Sequence, residues 1–267
     1  MATLKLHRWG KPHAPALLCL HGFMGTGFDW DAFACAALSI NPHLSILAPD
    51  LPGHGENSFL PADSFDRQIL SLLEVEHLES LALIGYSLGG RLGLQSVLSH
   101  PKKFPSFVGI STSAGIDVDS ERDLRKNQDY QLASRLRAIT SESAFRDFLS
   151  EWWELPVFKS PFRSLESKGR FIASRLNQNP QALAESLTRW SSGVLPSLWD
   201  SLEGYSGRAL FLAGAADEKY VKITKKMASK TPASEFQILS DVGHQILMEN
   251  PLEAARCVVD FLQLKSQ

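Results

Sequence analysis

One short motif, Gly85-Tyr86-Ser87-Leu88-Gly89, limits what this chain can fold into more than any other feature. It follows an apolar run at residues 81–85 that is typical of a buried strand, and it opens a pattern typical of a helix over residues 88–99. A strand that turns sharply into a helix at G-x-S-x-G presents the serine oxygen above the sheet, because glycines leave room where side chains would collide. The motif predicts a nucleophilic serine. The competing interpretation is a glycine-rich turn with a capping serine.

Short apolar runs alternate with helical patterns along most of the chain. Helices are predicted at residues 29–38, 88–99 and 252–262. The predicted strands are residues 16–20, 44–48, 81–85, 107–110, 209–213 and 235–239. This alternation predicts an α/β protein with a mostly parallel central sheet and crossover helices, and together with the G-x-S-x-G turn it indicates the α/β-hydrolase fold.

The segment from residue 117 to 200 differs in composition from its flanks. It is rich in Arg, Glu, Ser and Trp and has helical spacing, and four prolines divide it into short helices. We therefore predict an α/β-hydrolase core formed by residues 1–116 and 201–267, with a helical cap inserted at residues 117–200.

Composition and charge indicate which kinds of molecule the protein binds. The chain has 267 residues, 44% of them hydrophobic and 21% charged, which is ordinary for a globular enzyme. A net charge of −2 gives no global attraction for nucleic acid or an anionic membrane. No apolar run approaches a membrane span, the first residues lack the apolar stretch of a secretory signal, and the three cysteines have no paired spacing. We expect a cytoplasmic, monomeric enzyme that acts on a small molecule without a metal or cofactor.

A nucleophilic serine needs a base, and the base needs an acid that orients it. In this fold they follow in the order serine, acid, histidine. Asp217 comes directly after the predicted strand 209–213, and His244 follows the strand 235–239. The carboxyl ends of parallel strands meet at one edge of the sheet, so we predict a catalytic triad of Ser87, Asp217 and His244.

Other residues could in principle fill these roles. Asp241 is a rival acid, but it lies three residues from His244 and is more typical of a turn. His21 and His54 occur in loops near the site, where we expect them to hold loops by hydrogen bonding. The remaining histidines lie at the terminus or in polar stretches and are interpreted as surface residues: His7, His13, His43, His77 and His100.

An oxyanion hole is expected from two backbone N–H groups. One belongs to Leu88, directly after the nucleophile, and the other to Phe23 in His21-Gly22-Phe23, because this fold takes its second donor from that loop. Donors of this kind stabilise developing negative charge by roughly 3–4 kcal/mol each.

Longer strings around these motifs resemble a narrower family. GYSLGGR at residues 85–91, HGFMG, DLPGHG and GHQILMENP are similar to the 2-succinyl-6-hydroxy-2,4-cyclohexadiene-1-carboxylate synthases of menaquinone and phylloquinone biosynthesis. The last three strings are widespread in the superfamily. The resemblance implies a lyase that expels pyruvate from a carboxylated enolpyruvyl cyclohexene, with the triad acting as base and without a cofactor.

The resemblance also implies a substrate pocket. Arg91, Arg125 and Arg175 would grip carboxylates, since arginine pairs with them through two parallel hydrogen bonds, and Tyr86 and Trp152 would line the pocket. Trp153 stands where the family has tyrosine, which leaves its role open. The alternatives are a serine hydrolase acting by acyl transfer and a non-enzymatic ligand receptor on the same fold.

Overall fold

The computed structural model describes residues 4–12, 15–57 and 64–264. Within these ranges a seven-stranded sheet has the order β1-β3-β2-β4-β5-β6-β7, in which only β1 runs antiparallel to its neighbour. The strands are β1 (Leu6–Gly10), β2 (Ala16–Leu20), β3 (Ser45–Pro49), β4 (Ala82–Tyr86), β5 (Ser106–Ile110), β6 (Arg208–Gly214) and β7 (Ser234–Leu239). The chain adds strands on one side of β2 first and then on its other side, beginning with β4. Open parallel sheets form ligand crevices at such a switch point, here between β2 and β4.

Ten α-helices connect and cover the strands within the described ranges. They are α1 (Asp31–Ile40), α2 (Phe65–Val75), α3 (Leu88–Ser99), α4 (Asp119–Arg137), α5 (Glu142–Trp153), α6 (Leu165–Arg175), α7 (Pro180–Trp190), α8 (Glu218–Lys230), α9 (Ile246–Glu249) and α10 (Pro251–Phe261). Two apolar clusters occupy the two faces of the sheet. The central strands are buried on both faces, which explains why they are continuous apolar runs rather than alternating ones. None of the helices in these ranges is long and apolar enough to cross a membrane.

Helices α4 to α7 lie between β5 and β6, in the segment predicted to be the cap. Three of them, α5, α6 and α7, start at a side-chain cap, where Ser141, Ser164 and Asn179 accept hydrogen bonds from first-turn N–H groups. They share an apolar cluster in which aromatic residues such as Phe145 and Phe171 pack with aliphatic ones. The division of the chain into core and cap domains at residues 117 and 200 stays a prediction.

The α/β-hydrolase fold inferred from the sequence is confirmed. Strand β2 and helix α3 have the predicted bounds, and the other five predicted strands are each found to within one residue at either end. Helix α1 begins two residues later than predicted, because a 3₁₀ turn at Gly27–Trp30 precedes it. Strand β1 and helices α2 and α8 are additions that the apolar pattern had not indicated.

His7 was interpreted as a surface residue, but its side chain is only partly exposed and has a buried partner. The antiparallel pairing of β1 with β3 places His7 opposite Ala48, and its Nε2 lies 2.9 Å from Oδ1 of the buried Asp50. Its ring also stacks on Trp9 with ring centroids 6.2 Å apart. His13, another of the predicted surface histidines, lies outside the described residues.

The crossing of α3 over β2 gives a test of packing at Gly89. A Cβ at Gly89 would lie 2.3 Å from the carbonyl oxygen of Leu20, whereas a Cβ at Gly169, on the exposed face of α6, would meet nothing within 4 Å. We expect Gly89→Ala to lower the free energy of unfolding by about 2 kcal/mol or more, since backbone must shift. Gly169→Ala should raise it by about 0.5–1 kcal/mol through higher helix propensity. Urea denaturation measures both; equal stability of the two variants would contradict this packing.

Candidate active site

Ser87 sits at the turn between β4 and α3 in a strained conformation. Its φ of 51° and ψ of −109° place it where side-chain-bearing residues are rarely found. The backbone is held there on both sides, because its N–H donates to the carbonyl oxygen of Ile110 at 2.9 Å and its own carbonyl accepts from Thr112 Oγ1 at 2.8 Å. A Cβ at Gly85 would lie 2.5 Å from the Cα of Gly90, so the turn can close only with glycine at that position.

The side chains of Ser87, Asp217 and His244 form one chain of contacts. His244 Nε2 lies 3.4 Å from Ser87 Oγ, and its Nδ1 lies 2.6 Å from Asp217 Oδ2. His244 and Asp217 are both buried. This arrangement allows the ring to take a proton from the serine oxygen while the carboxylate fixes its orientation.

Asp217 is held by the start of a helix. It is the N-cap of α8, where its Oδ1 accepts from the N–H of Tyr220 at 3.3 Å and leaves Oδ2 for His244. The rival acid, Asp241, is exposed and has a φ of 57°, a conformation that short polar residues adopt in turns. The structure therefore brings Asp217 to the histidine, as the sequence order predicted.

The loop after β2 lies close to Ser87. A Cβ on Gly22 would lie 3.5 Å from Ser87 Cβ, so the Gly22–Phe23 peptide borders the serine closely. Leu88 is the first residue of α3, and N–H groups in a first helical turn have no acceptor within the helix. Phe23 and Leu88 both line the cavity in front of Ser87, where the two predicted oxyanion donors would be needed.

A cavity of about 1030 Å³ lies between the cap and the carboxyl ends of the strands. Its floor is the triad, and its walls come from α3, α4, α5, α7 and the Pro156–Phe158 turn. It is lined by most of the predicted site residues: Ser87, Asp217, His244, Phe23, Leu88, Tyr86, Arg91, Arg125 and Trp152. Among the described residues no group of three His, Cys, Asp or Glu side chains could hold a metal ion.

Arg91 and Arg125 bring positive charge to this cavity in different ways. Arg91 lies one helical turn after Ser87, burial lowers its pKa, and its buried Nε has no hydrogen-bond partner among the described residues. Arg125 is instead paired, through its Nε, with Asp129 Oδ2 at 2.8 Å. A guanidinium remains charged at neutral pH even when its pKa is lowered. Arg91 is thus the less compensated of the two cations.

Aromatic rings form much of the remaining wall. Trp152 stands edge-on to Phe23 with ring centroids 5.5 Å apart, and so connects the cap to the loop after β2. Tyr220 was missed by the sequence interpretation, although its ring packs 4.6 Å from that of His244. No sequence signal marked Tyr220, because its position depends on where α8 begins. Burial raises the pKa of both Tyr86 and Tyr220, so both hydroxyls are neutral donors.

One expectation for the cap, the contact of Arg175 with substrate, is not supported by its position. Arg175 is buried behind the loop after β2, where its Nη2 lies 2.6 Å from Asp29 Oδ2, and it is not among the residues that line the cavity. Contact of Arg175 with substrate would require its side chain to reach the cavity, which it does not line. Trp153, whose role was open, is buried in the cap cluster, and the guanidinium of Arg163 lies 4.0 Å from the centre of its ring.

His21 and His54 hold the loops around the site from behind. His21 Nε2 accepts from the N–H of Leu51 at 2.8 Å, so its proton is on Nδ1, which donates to the carbonyl of Gly22 at 2.8 Å. Burial lowers the pKa of His21 well below its usual range and that of His54 to about 4. Both rings are therefore neutral and structural at neutral pH.

The fold, the strained turn and the triad geometry together define an α/β-hydrolase. Residues 15–251 match the family model described as alpha/beta hydrolase fold. The chain therefore belongs to the α/β-hydrolase-fold family.

Relatives within that family give a narrower grouping. A Bacillus subtilis (strain 168) protein, provisionally named a 2-succinyl-6-hydroxy-2,4-cyclohexadiene-1-carboxylate synthase, is 32% identical over 95% of this chain and 92% of its own. The synthase of that name from Enterobacter sp. (strain 638) is 29% identical over 97% and 95%. The solved structure of MenH from S. aureus has a TM-score of 0.87 and 27% identity and covers 99% of each chain. Sequence and structure thus place this chain among the relatives of these synthases.

The buried histidines predict a pH dependence of stability. His54 is neutral in the folded protein down to pH about 4, whereas an unfolded histidine is protonated below pH 6.5. Between pH 6.5 and about 4 the unfolded state therefore binds more protons than the folded state, and the free energy of unfolding decreases as the pH falls through this range. We expect His54→Asn to reduce the loss between pH 6.5 and 5, because one proton-binding difference, worth about 1.4 kcal/mol per pH unit, is removed.

Urea denaturation at pH 7.0 and pH 5.0 measures this difference. The matched control is His43→Asn, since His43 is exposed. The control should keep the pH dependence of the wild-type protein. An equal loss of stability in the wild-type, His54→Asn and His43→Asn proteins would show that His54 is not kept neutral by burial.

Proposed function

We propose that the protein is a 2-succinyl-6-hydroxy-2,4-cyclohexadiene-1-carboxylate synthase. Its substrate is a cyclohexene that carries a ring carboxylate, a succinyl group and an enolpyruvyl ether, and its reaction is the elimination of pyruvate to give a ring diene. The named relatives, which align with nearly the whole chain, support this assignment. A small-molecule substrate suits a cavity of about 1030 Å³. Cytoplasmic location and a monomeric state stay predictions.

The observation that carries the proposal is the guanidinium of Arg91 in the cavity wall. Its Nε–H is buried and has no hydrogen-bond partner among the described residues, which is unfavourable for a cation unless an anion compensates it. A substrate carboxylate supplies that anion within one helical turn of Ser87, and it gains a charge-assisted hydrogen bond in return. An enzyme for neutral esters, the alternative from the sequence, has no use for such a cation.

The triad supplies the base for the reaction. His244 takes the Ser87 proton on Nε2, Asp217 stabilises the resulting imidazolium, and the serine oxygen removes a ring proton next to the succinyl ketone. The electron pair moves to the ketone oxygen, where the N–H groups of Phe23 and Leu88 stabilise the charge. As the ketone reforms, the double bonds shift around the ring and the carbon–oxygen bond to the enolpyruvyl group breaks. The leaving group departs as the enolate of pyruvate and takes up the proton held by His244, which returns the triad to its starting state.

The cavity wall orients the substrate for this step. Tyr86 and Trp152 provide apolar ring surface, and Arg125 provides a second cation whose pairing with Asp129 leaves its other guanidinium nitrogens available to a carboxylate. Because Arg91 and Arg125 come from the core and the cap respectively, a substrate with carboxylates at both ends would contact both. This explains why the site favours a polyanion over a small neutral ester.

Removing the nucleophile tests the triad assignment. We expect Ser87→Ala to fold normally and to lose about 10⁴-fold or more in kcat, because triad members act as a unit. Release of pyruvate from the enolpyruvyl substrate, coupled to lactate dehydrogenase, measures the rate, and p-nitrophenyl esters are assayed beside it. A folded Ser87→Ala variant with near wild-type rates would exclude the assignment. A wild-type protein that hydrolyses the esters but releases no pyruvate would replace the proposed synthase with the hydrolase.

Removing the charge of Arg91 tests substrate recognition. Arg91→Met keeps much of the side-chain volume and loses the cation, so kcat/KM for the carboxylated substrate should fall about ten- to a hundredfold. Arg91→Lys should restore only part of this loss, because it keeps the charge without the planar fork.

The control for this series is Arg146→Met on the cap surface, where Arg146 pairs with Glu142 and both side chains are largely exposed. It should leave the kinetics unchanged. Any hydrolysis of a neutral ester should also be insensitive to Arg91→Met. The recognition model is contradicted if Arg91→Met and Arg146→Met have the same kcat/KM on the carboxylated substrate.

A further inference from the structure

Gln178 lies in the turn between the cap helices α6 and α7 and reaches into the core. Its side chain is buried, with 6% of its surface exposed. Its Nε2 donates to the carbonyl oxygen of Met24 and, at 3.2 Å, to that of Gly25, while its Oε1 accepts from the N–H of Gly55 at 3.0 Å. One amide therefore satisfies groups from two different loops of the core. No motif in the sequence pointed to Gln178.

The loop that Gln178 grips is under strain. Met24 has a φ of 60°, which residues with side chains adopt at an energetic cost. Such conformations persist only where the surroundings hold them firmly, and they concentrate at functional sites. Here the Met24 side chain is fully buried in the apolar cluster of the cap, and its carbonyl is bound by Gln178. The cap thus holds Met24 by both its side chain and its backbone.

Restraint of this loop fixes the direction of the Phe23 N–H. Gly25, held by Gln178, donates its own N–H to the carbonyl of Gly22 at 3.0 Å, and His21 Nδ1 donates to the same oxygen. The Gly22 carbonyl and the Phe23 N–H belong to one planar, trans peptide, so they point in opposite directions. Two donors that hold the carbonyl on one side therefore aim the N–H towards the other, and we infer that this is the side of the cavity that Phe23 and Ser87 both line.

We propose that Gln178 is a positioning residue for the oxyanion hole, contributed by the cap. This inference rests on the proposed function, in which the Phe23 N–H stabilises the enolate. Gln178 does not touch the substrate: it holds Met24 and Gly25, and Gly25 and His21 hold the Gly22–Phe23 peptide in the orientation that the charged intermediate needs. An oxyanion hole supported in this way is complete only when the cap is packed on the core.

The amide can be dissected by two substitutions. Gln178→Met keeps the length of the side chain and removes all three hydrogen bonds. Gln178→Glu keeps an acceptor for Gly55 and puts carboxylate oxygens against the carbonyls of Met24 and Gly25. We expect both to lower kcat about ten- to thirtyfold, less than the 10²–10³-fold loss of a whole oxyanion donor, because the Phe23 N–H is displaced rather than deleted.

Three readouts separate positioning from a merely structural role. KM for the carboxylated substrate should stay within about threefold of wild type, since Arg91 is untouched. Circular dichroism measures the folded fraction of each variant, and kcat is calculated per folded molecule. Hydrogen exchange of the peptide covering residues 21–26 should become faster. The pH profile of kcat should keep its position, because the contacts of His244 are unchanged.

The matched control is Gln181→Met. Gln181 lies three residues further on and also donates to a backbone carbonyl, that of Ile139 at 2.8 Å, but within the cap. It should keep wild-type kcat and wild-type exchange at residues 21–26. Wild-type kcat in folded Gln178→Met and Gln178→Glu, or an equal loss in Gln181→Met, would overturn the inference.

The experiment also separates this inference from the proposed function. If the wild-type protein hydrolyses p-nitrophenyl esters without releasing pyruvate, the synthase assignment fails. The kcat values of the variants are then compared on the ester, because ester hydrolysis also passes through an oxyanion. If the wild-type protein turns over neither compound, hydrogen exchange decides: unchanged exchange at residues 21–26 in Gln178→Met overturns the inference, and faster exchange supports it.

Discussion

The site depends on one backbone constraint, the left-handed conformation of Ser87 between β4 and α3. It aims the serine oxygen out of the sheet, and it begins α3 so that the Leu88 N–H and Arg91 face the same cavity. The strain is carried by the packing beneath, where α3 approaches β4 at Gly85 and β2 at Gly89 so closely that neither glycine leaves space for a Cβ. The predicted nucleophile, one predicted oxyanion donor and Arg91 are thus placed by a single turn.

The fold and the triad could be predicted because their signals are local. Apolar runs mark buried strands, and a parallel sheet brings the residues after those strands to one edge, so Asp217 and His244 could be placed without a three-dimensional model. Strand β1 (LHRWG) carries no such run because it is an edge strand, and α8 is so rich in lysine that its buried face, with Thr224 and Met227, is inconspicuous. The buried partner of His7 was missed for the same reason, since Asp50 is brought to it only by the pairing of β1 with β3.

The contacts of the cap could not be predicted in the same way. The resemblance gave Arg125 and Arg175 the same role, yet Arg125 faces the cavity and Arg175 is paired with Asp29. Both are arginines on helices, and their difference arises from how α4 and α6 pack on the core. Gln178 and Tyr220 depend likewise on tertiary position: one lies in a polar stretch and the other in the first turn of a lysine-rich helix, and neither has a pattern that marks it.

The cap contacts the catalytic machinery from two sides, and this affects how such enzymes can diverge. On one side Gln178 and the pocket for Met24 hold the loop with the predicted oxyanion donor. On the other, Ser160 donates to Glu249 Oε2 at 2.8 Å, and the same oxygen accepts from the N–H of Gly243, next to His244, at 2.7 Å.

A cap is often regarded as a module for substrate selection that can change while the chemistry stays constant. Here a change of cap sequence also alters the support of both the oxyanion loop and the histidine loop. Substrate range and catalytic geometry are therefore mechanically linked, and a cap from another hydrolase would have to restore both supports before its own specificity could be expressed.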